Sequence, residues 1–212
     1  MKFPLYSQEG SQIGTVDGSD EIFGAKVRTH LMHKILVRQL SNKRHPIAHT
    51  LTKGEVSGGG IKPRPQKHSG QARQGSTRNP HWVGGGVAFG PRNTRNYELR
   101  ASKQERRSAL FSALSAKAQE SLVAALDGYK TDKPNTKIFS AMLQKLPFEK
   151  KVLFVLPERN DAVYRSARNI PRVKTITVNY LNLADLLTYT NVVFFKDALP
   201  KLETLFLRKK SK

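Results

Sequence analysis

Hydrophobic and polar positions alternate in recognisable patterns at both ends of the chain and lose all regularity in between. Phe3-Pro4-Leu5-Tyr6 and Ile13-Gly14-Thr15-Val16 flank the polar Glu9-Gly10-Ser11, which predicts a short β-hairpin. Val27, Leu31 and Ile35 then recur at i, i+4, with Leu36 and Leu40 extending the stripe, which predicts an amphipathic helix over 24–41. Beyond the irregular stretch, Ser102-Lys103-Gln104-Glu105 has the spacing of a capping box. It leads into Leu110, Phe111 and Leu114 on one helical face.

From there strands and helices alternate. Leu122-Val123-Ala124-Ala125-Leu126 reads as a strand or as an extension of the preceding helix. Pro134-Asn135-Thr136 opens a helix carrying Ile138, Phe139, Met142 and Leu146. Val152-Leu153-Phe154-Val155-Leu156 is a continuous apolar run, the pattern of a strand buried on both faces in a parallel sheet. A helix near 161–169, a strand Val173–Val178, a short helix at Ala184–Thr188 and a strand Val192-Val193-Phe194-Phe195 follow. Asp197 is placed to cap a last helix with Leu202, Leu205 and Phe206. This order predicts an α/β fold: an open, mainly parallel sheet with flanking helices and right-handed crossovers, interrupted by a long, extended, basic, Gly-rich loop. Residues 1–44 and 98–212 would form one globular domain, with 45–97 inserted in it.

Composition changes the picture most in that insertion. The chain has 212 residues, 37 Lys+Arg against 16 Asp+Glu, a net charge of +21, and no cysteine. A hydrophobic fraction of 38% is enough for a core, so a wholly disordered basic tail is excluded. Residues 1–42 carry a net of only +1, whereas 43–107 carry +11 and 108–212 carry +9. Between Val56 and Tyr97 there are seven basic residues and no acidic one. Gly54 to Gly90 holds ten of the fifteen glycines, with Pro63, Pro65, Pro80 and Pro91 alongside. Neither a helix nor a central strand survives such punctuation. Two readings stay open: a flexible solvated linker, or a segment that meets an external polyanion. Interleaved cations, rings and glycines suit RNA or DNA, because phosphates pair with Arg and Lys while bases stack on rings.

Other chemistry is poorly supported. Without cysteine there is no disulfide, no thiolate zinc site and no thiol nucleophile. Gly58-x-Gly60 would need glycine at 63, where Pro63 stands, and Gly84-x-Gly86 would need a small residue at 89, where Phe89 stands. No Gly-Lys-Ser/Thr triplet is present, which excludes a P-loop. His30 and His33 share a helical turn and His45 and His49 are four apart, but no carboxylate completes a metal set, so no metal and no cofactor are expected. No apolar run approaches the roughly 20 residues of a membrane span, and Met1-Lys2-Phe3-Pro4 does not begin a signal peptide. The expectation is a soluble intracellular protein that is not an enzyme and has no membrane partner.

The run Gly54-Glu55-Val56-Ser57-Gly58-Gly59-Gly60-Ile61-Lys62-Pro63, then Gln66-Lys67-His68-Ser69-Gly70-Gln71-Ala72-Arg73-Gln74-Gly75-Ser76-Thr77-Arg78-Asn79-Pro80-His81-Trp82-Val83-Gly84-Gly85-Gly86-Val87-Ala88-Phe89-Gly90-Pro91, closely resembles the bacterial-type large-subunit ribosomal protein L four family. Arg106-Arg107-Ser108-Ala109-Leu110-Phe111-Ser112-Ala113-Leu114-Ser115 resembles the family's helix after the loop, while the flanks agree only in element order. The resemblance implies a structural, non-catalytic constituent of the cytoplasmic large ribosomal subunit that binds its rRNA and neighbouring proteins and supports early assembly. The tip, Lys62, Pro63, Arg64, Pro65, Gln66, Lys67, His68, Ser69 and Gly70, would help line the constriction of the peptide exit tunnel and meet the nascent peptide. Some members also repress their own operon, so a free RNA-binding regulator is the alternative. A nucleotide-dependent enzyme on the α/β body is a further rival.

The candidate rRNA contacts are Lys53, Lys62, Arg64, Lys67, His68, Arg73, Arg78, His81, Trp82, Arg92, Arg95, Tyr97, Arg100, Lys103, Arg106 and Arg107. Lys and Arg would neutralise phosphates and release counterions. Trp82 would stack on a base or ribose, or else pack against its own chain; Arg106 and Arg107 would meet phosphates, or be ordinary solvated charges. The tip departs from the family pattern: many members have Trp-Arg at Arg64-Pro65, Gly-Thr at His68-Ser69 and Arg at Gln71. The glycines at 58–60 and 84–86 are expected at bends that need positive φ or a close approach.

Overall fold

Apolar runs too short for helices and without polar interruption become the centre of a sheet covered on both faces. The protein, described here from a computed structural model over residues 1–207 other than 130, 132 and 149, has six strands. They are β1 (Lys2–Tyr6), β2 (Gln12–Asp17), β3 (Val123–Leu126), β4 (Val152–Leu156), β5 (Val173–Thr177) and β6 (Asn191–Phe195). The strand order is β2-β1-β3-β6-β4-β5. Only the β1–β2 hairpin is antiparallel; every other pair is parallel. All residues of β3, β4 and β6 are buried, which is why their sequences show no alternation. Strand β2, at the edge, alternates between exposed and half-buried positions and leaves Ile13 exposed.

The helices are α1 (Asp20–Phe23), α2 (Thr29–Asn42), α3 (Lys103–Gln119), α4 (Thr136–Lys145), α5 (Asp161–Ala167), α6 (Leu183–Thr188) and α7 (Ala198–Phe206). Edge-to-face ring pairs tie helices to strands: Phe139 of α4 lies 5.3 Å from Phe154 of β4, and Phe23 of α1 lies 5.9 Å from Phe194 of β6. Asn135, Asn160 and Asn182 each accept backbone N–H bonds at the N-termini of α4, α5 and α6, which satisfies donors a helix start leaves free. The capping box of α3 forms as its spacing predicts: Glu105 N donates to Ser102 Oγ (3.1 Å) and Ser102 N to Glu105 Oε2 (2.9 Å).

The chain divides into two compact units, residues 1–40 with 100–212, and residues 41–99. The sheet and its helices lie in the first, apart from the last two residues of α2.

Several expectations are corrected. The helix predicted over 24–41 begins only at Thr29. Residues 20–23 form a separate turn that buries Ile22 and Phe23, and two buried serines of α3 claim one carbonyl within it and one just after it. Ser115 Oγ donates to Ile22 O and Ser112 Oγ to Lys26 O, both at 3.1 Å, so those carbonyls bond across to α3. Within α2 only Ile35 is fully buried, and Leu40 is exposed rather than part of the stripe. Of the two readings of 122–126 the structure shows the strand, over Val123–Leu126, because Ser121 adopts φ 57 and turns the chain after α3. The inner face of α4 is Phe139, Met142 and Leu146, which leaves Ile138 exposed. Leu205 is exposed on α7, and Asp197 occupies its N-cap without a side-chain bond.

One charged pair joins helices within the first unit. Lys34 Nζ of α2 donates to Glu105 Oε1 of α3 at 2.5 Å, and with the Ser102 backbone and hydroxyl it holds the Glu105 carboxyl down to about 2 from its ordinary 4.5. A carboxyl depressed in the fold stabilises above its unfolded pKa, and that contribution disappears as pH falls through the folded value. Glu105→Gln should therefore lower the urea midpoint at neutral pH, with the two proteins converging as pH approaches 2. Ser102→Ala should cost about 1 kcal/mol. Phe139→Ala, at a fully buried site, should cost about 3–5 kcal/mol in the same measurement.

Candidate nucleic-acid interface

The second unit contains no strand and, beyond the end of α2, no helix, yet it is not structureless. Its two arms are cross-linked by single bonds rather than by a ladder. Thr50 N donates to Pro91 O (3.0 Å) and Val87 N to Leu51 O (2.9 Å). Further along, Arg78 NH1 donates to Val56 O (3.0 Å) and Ser76 Oγ to Gly59 O (3.4 Å). The arms approach closely enough that a methyl group at Gly86 would collide with the backbone of Thr52 and Lys53. Gly58, Gly59 and Gly84 have φ of 99, 73 and 80, conformations that favour glycine. The glycines are thus required at least partly by the loop's own packing.

The strongest cross-link is ionic. Arg92 offers a two-pronged guanidinium to Glu55, with NH1 and NH2 each 2.7 Å from a carboxylate oxygen, and NH1 also reaches Thr50 O at 3.1 Å. The Arg92 bonds, followed by those from the Thr52 N–H and hydroxyl, hold the Glu55 carboxyl well below the usual carboxylate range. Glu55 lies one residue before the acid-free stretch, so its partnership with Arg92 is invisible to a segment count. Arg78 is likewise turned inward: it is half-buried, and its Nε is buried with no hydrogen-bond partner among the described residues. Both residues brace the loop.

The remaining predicted cations lie differently. Lys53, Lys62, Lys67, Arg73 and Arg95 in this unit, and Arg100, Lys103, Arg106 and Arg107 in the first, are exposed, and none is paired with a carboxylate among the described residues. Trp82 is only half-exposed: its Nε1 donates to Gln74 Oε1 at 3.3 Å, and the same oxygen lies 2.7 Å from Nε2 of the exposed His81. Trp82 therefore packs against its own chain more than its glycine-rich surroundings suggest.

At the tip, Arg64 NH1 donates to Gln71 Oε1, so two positions that depart from the family pattern touch one another. Lys62 Nζ donates to Gln66 Oε1 at 2.5 Å. His68 has φ 64, a left-handed conformation that explains why glycine suits this position, and it is fully presented to solvent with Ser69 and Gly70.

Two residues outside the candidate contact set stand out. Arg44 lies over one ring with a predicted residue: its guanidinium is 4.3 Å from the centroid of Tyr97, and that of Arg95 is 4.9 Å away. This cluster lines a groove of about 730 Å³ with Phe89, Pro91 and Arg92. Phe89 is the other. Its φ is 54 and its exposure 108%, so the backbone holds an aromatic ring entirely in solvent. Arg44 could have been found from the Lys43-Arg44 pair, and Phe89 is one of the rings interleaved with the cations of the acid-free stretch. Exposed rings and unpaired cations without carboxylates form a surface able to stack on bases and to neutralise phosphates. Among the described residues no group of three or more His, Asp or Glu could hold a metal.

The chain is similar to known proteins over nearly its whole length. Residues 16–205 match the model of the ribosomal protein L4/L1 family. The "Large ribosomal subunit protein uL4" of Lachnoclostridium phytofermentans is 42% identical over 95% of this chain and 97% of its own. Those of Halothermothrix orenii (43%, covering 96% and 97%) and Clostridium botulinum (41%, covering 97% and 98%) are similar to it in the same way.

The cross-links predict graded protection in the free protein. Amides at Thr50, Gly86 and Val87 should exchange more slowly than those of 62–75. Glu55→Gln should accelerate exchange at Thr50 and Val87 severalfold while leaving the tip unchanged. Gly86→Ala should open the same region by steric pressure.

Proposed function

We infer from its membership of the ribosomal protein L4/L1 family, to which this chain belongs, that the protein is a structural constituent of the large ribosomal subunit. It binds large-subunit rRNA beside other ribosomal proteins, in the cytoplasm, and its role is non-enzymatic. The single observation behind the RNA contact is the fate of the cations in residues 41–99. Among the described residues only Arg92 meets a carboxylate there, so the rest of the positive charge is unneutralised by the protein.

The finer reading follows the chain. Residues 1–44 and 98–212 act as the body and 45–97 as the inserted rRNA-binding loop. Lys53, Lys62, Arg64, Lys67, Arg73, Arg95, Arg100, Lys103, Arg106 and Arg107 neutralise phosphates; His68, His81, Trp82 and Tyr97 offer rings; Arg78 and Arg92 hold the arms in shape for them. The tip, 62–70, helps form the constriction of the exit tunnel, where it meets the nascent peptide, and the protein joins the subunit early in its assembly. What supports the tip's role is the exposure of 65–70, with Arg64–Gln71 its one cross-arm bond among the described residues, and the family's loop motif around it.

The protein should co-sediment stoichiometrically with large subunits through a high-salt wash. Binding of RNA without retention on subunits would instead identify a free regulator. Lys67→Ala and Arg73→Ala should each flatten the log–log salt dependence of binding to large-subunit rRNA by roughly 0.7–0.9. The inward-facing Arg92 should change loop protection more than it changes that slope.

A further inference from the structure

A second cationic feature lies in the first unit, where α2, the start of α3 and the segment leading into α6 enclose a groove of about 380 Å³. Its floor is apolar: Ile35, Leu110 and Leu183, with Leu181 and the Phe206 ring. Its edge carries Arg38, Lys103, Arg106 and Arg107. The acids nearest in sequence are already engaged, Glu105 by Lys34 and Asp185 by Lys174 and Asn182. No carboxylate among the described residues pairs with any of the four cations.

Arg38 is the unusual member. It is half-buried, yet its Nε is buried and has no hydrogen-bond partner among the described residues. A buried unpaired donor on a guanidinium carries a desolvation cost that a bound acceptor would remove. The wall beside it is rigid: Gln39 Nε2 donates to Asn182 Oδ1 at 3.0 Å, Gln39 Oε1 accepts from Ala184 N at 3.2 Å, and Asn182 also caps α6. A groove so built offers a preformed, partly desolvated anion site against an apolar platform.

We infer that this groove takes one unstacked nucleotide of single-stranded RNA, its phosphate held by Arg38 with Arg106 or Arg107, and its base laid on the floor beside Phe206. A free phosphate would need the cations but not the floor. A base would need the floor but not four cations, and a nucleotide uses both. The volume falls near the lower end of the roughly 300–1,000 Å³ typical of small-ligand clefts. The inference rests on the ribosomal reading for its choice of RNA, and it adds a site on the body, separate in sequence from the loop.

The test is a ¹⁵N-resolved NMR titration of the full chain with adenosine 5′-monophosphate, and in parallel with inorganic phosphate, adenosine, and a short Glu-rich peptide. Adenosine monophosphate should shift amides at 35–39, 103–107 and 179–183, and at lower concentration than phosphate or adenosine alone. Arg38→Ala should weaken that binding roughly tenfold or more, since a hydrogen bond to a charged group is worth that much. Arg38→Lys should restore it only partly, for want of the planar fork. Arg106→Ala, at an exposed position, provides a second variant should Arg38→Ala unfold the protein. Equal response to phosphate, equal response to the peptide, or no change in either variant would overturn the assignment. Co-sedimentation with large subunits is measured independently, so loss of this site leaves the ribosomal reading intact and the reverse also holds.

Discussion

Carboxylates are scarce in this chain, and the structure depends on where the few of them stand. With 16 acids against 37 bases, like-charge repulsion opposes every close approach of two segments. Glu55 ties the two arms of the loop through Arg92 and Thr52. Glu105 caps α3 and at the same time receives Lys34 from α2. Asp185 takes Lys174 from β5 and an amide from Asn182 at the start of α6. Each of these acids does two jobs, and among the described residues few cations meet a carboxylate. A protein that used more of its charge internally would have less to offer an RNA.

The loop illustrates how a chain without strand or helix can still hold a shape. Single bonds from side chain to backbone replace a ladder, and glycines permit the contact distances those bonds need. Cross-linking thins out toward the tip, where the exposed, left-handed His68 lies. The gradient follows from chemistry: Glu55 is the only acid between residues 41 and 97, and none exists from 56 to 97.

Most of the architecture was legible in the sequence because its signals are local. The apolar runs within 122–126, 152–156 and 192–195 became buried parallel strands, and Ser102-x-x-Glu105 became a capping box. The misreadings share one cause, long-range competition. The helix start moved from 24 to Thr29 because α3, some 90 residues later, supplies serine hydroxyls to the carbonyls of Ile22 and Lys26. Ile138 and Leu205 proved exposed because a helix face is chosen by what it packs against, and hydrophobicity alone does not name that partner.

The sequence by itself determined the α/β class, the location of the charge and the absence of carboxylates from 56 to 97, since these depend only on residue type and spacing. It could list the cations but not sort them. Tertiary structure decided that Arg92 and Arg78 turn inward, that Arg44 and Arg95 share the ring of Tyr97, that Trp82 leans on Gln74 while Phe89 stands free, and that Arg38 is left unpaired in a groove. The reason is physical. Whether an arginine is a brace or a phosphate contact depends on which acceptors the fold brings within about 3 Å of it, and those acceptors come from residues far away along the chain.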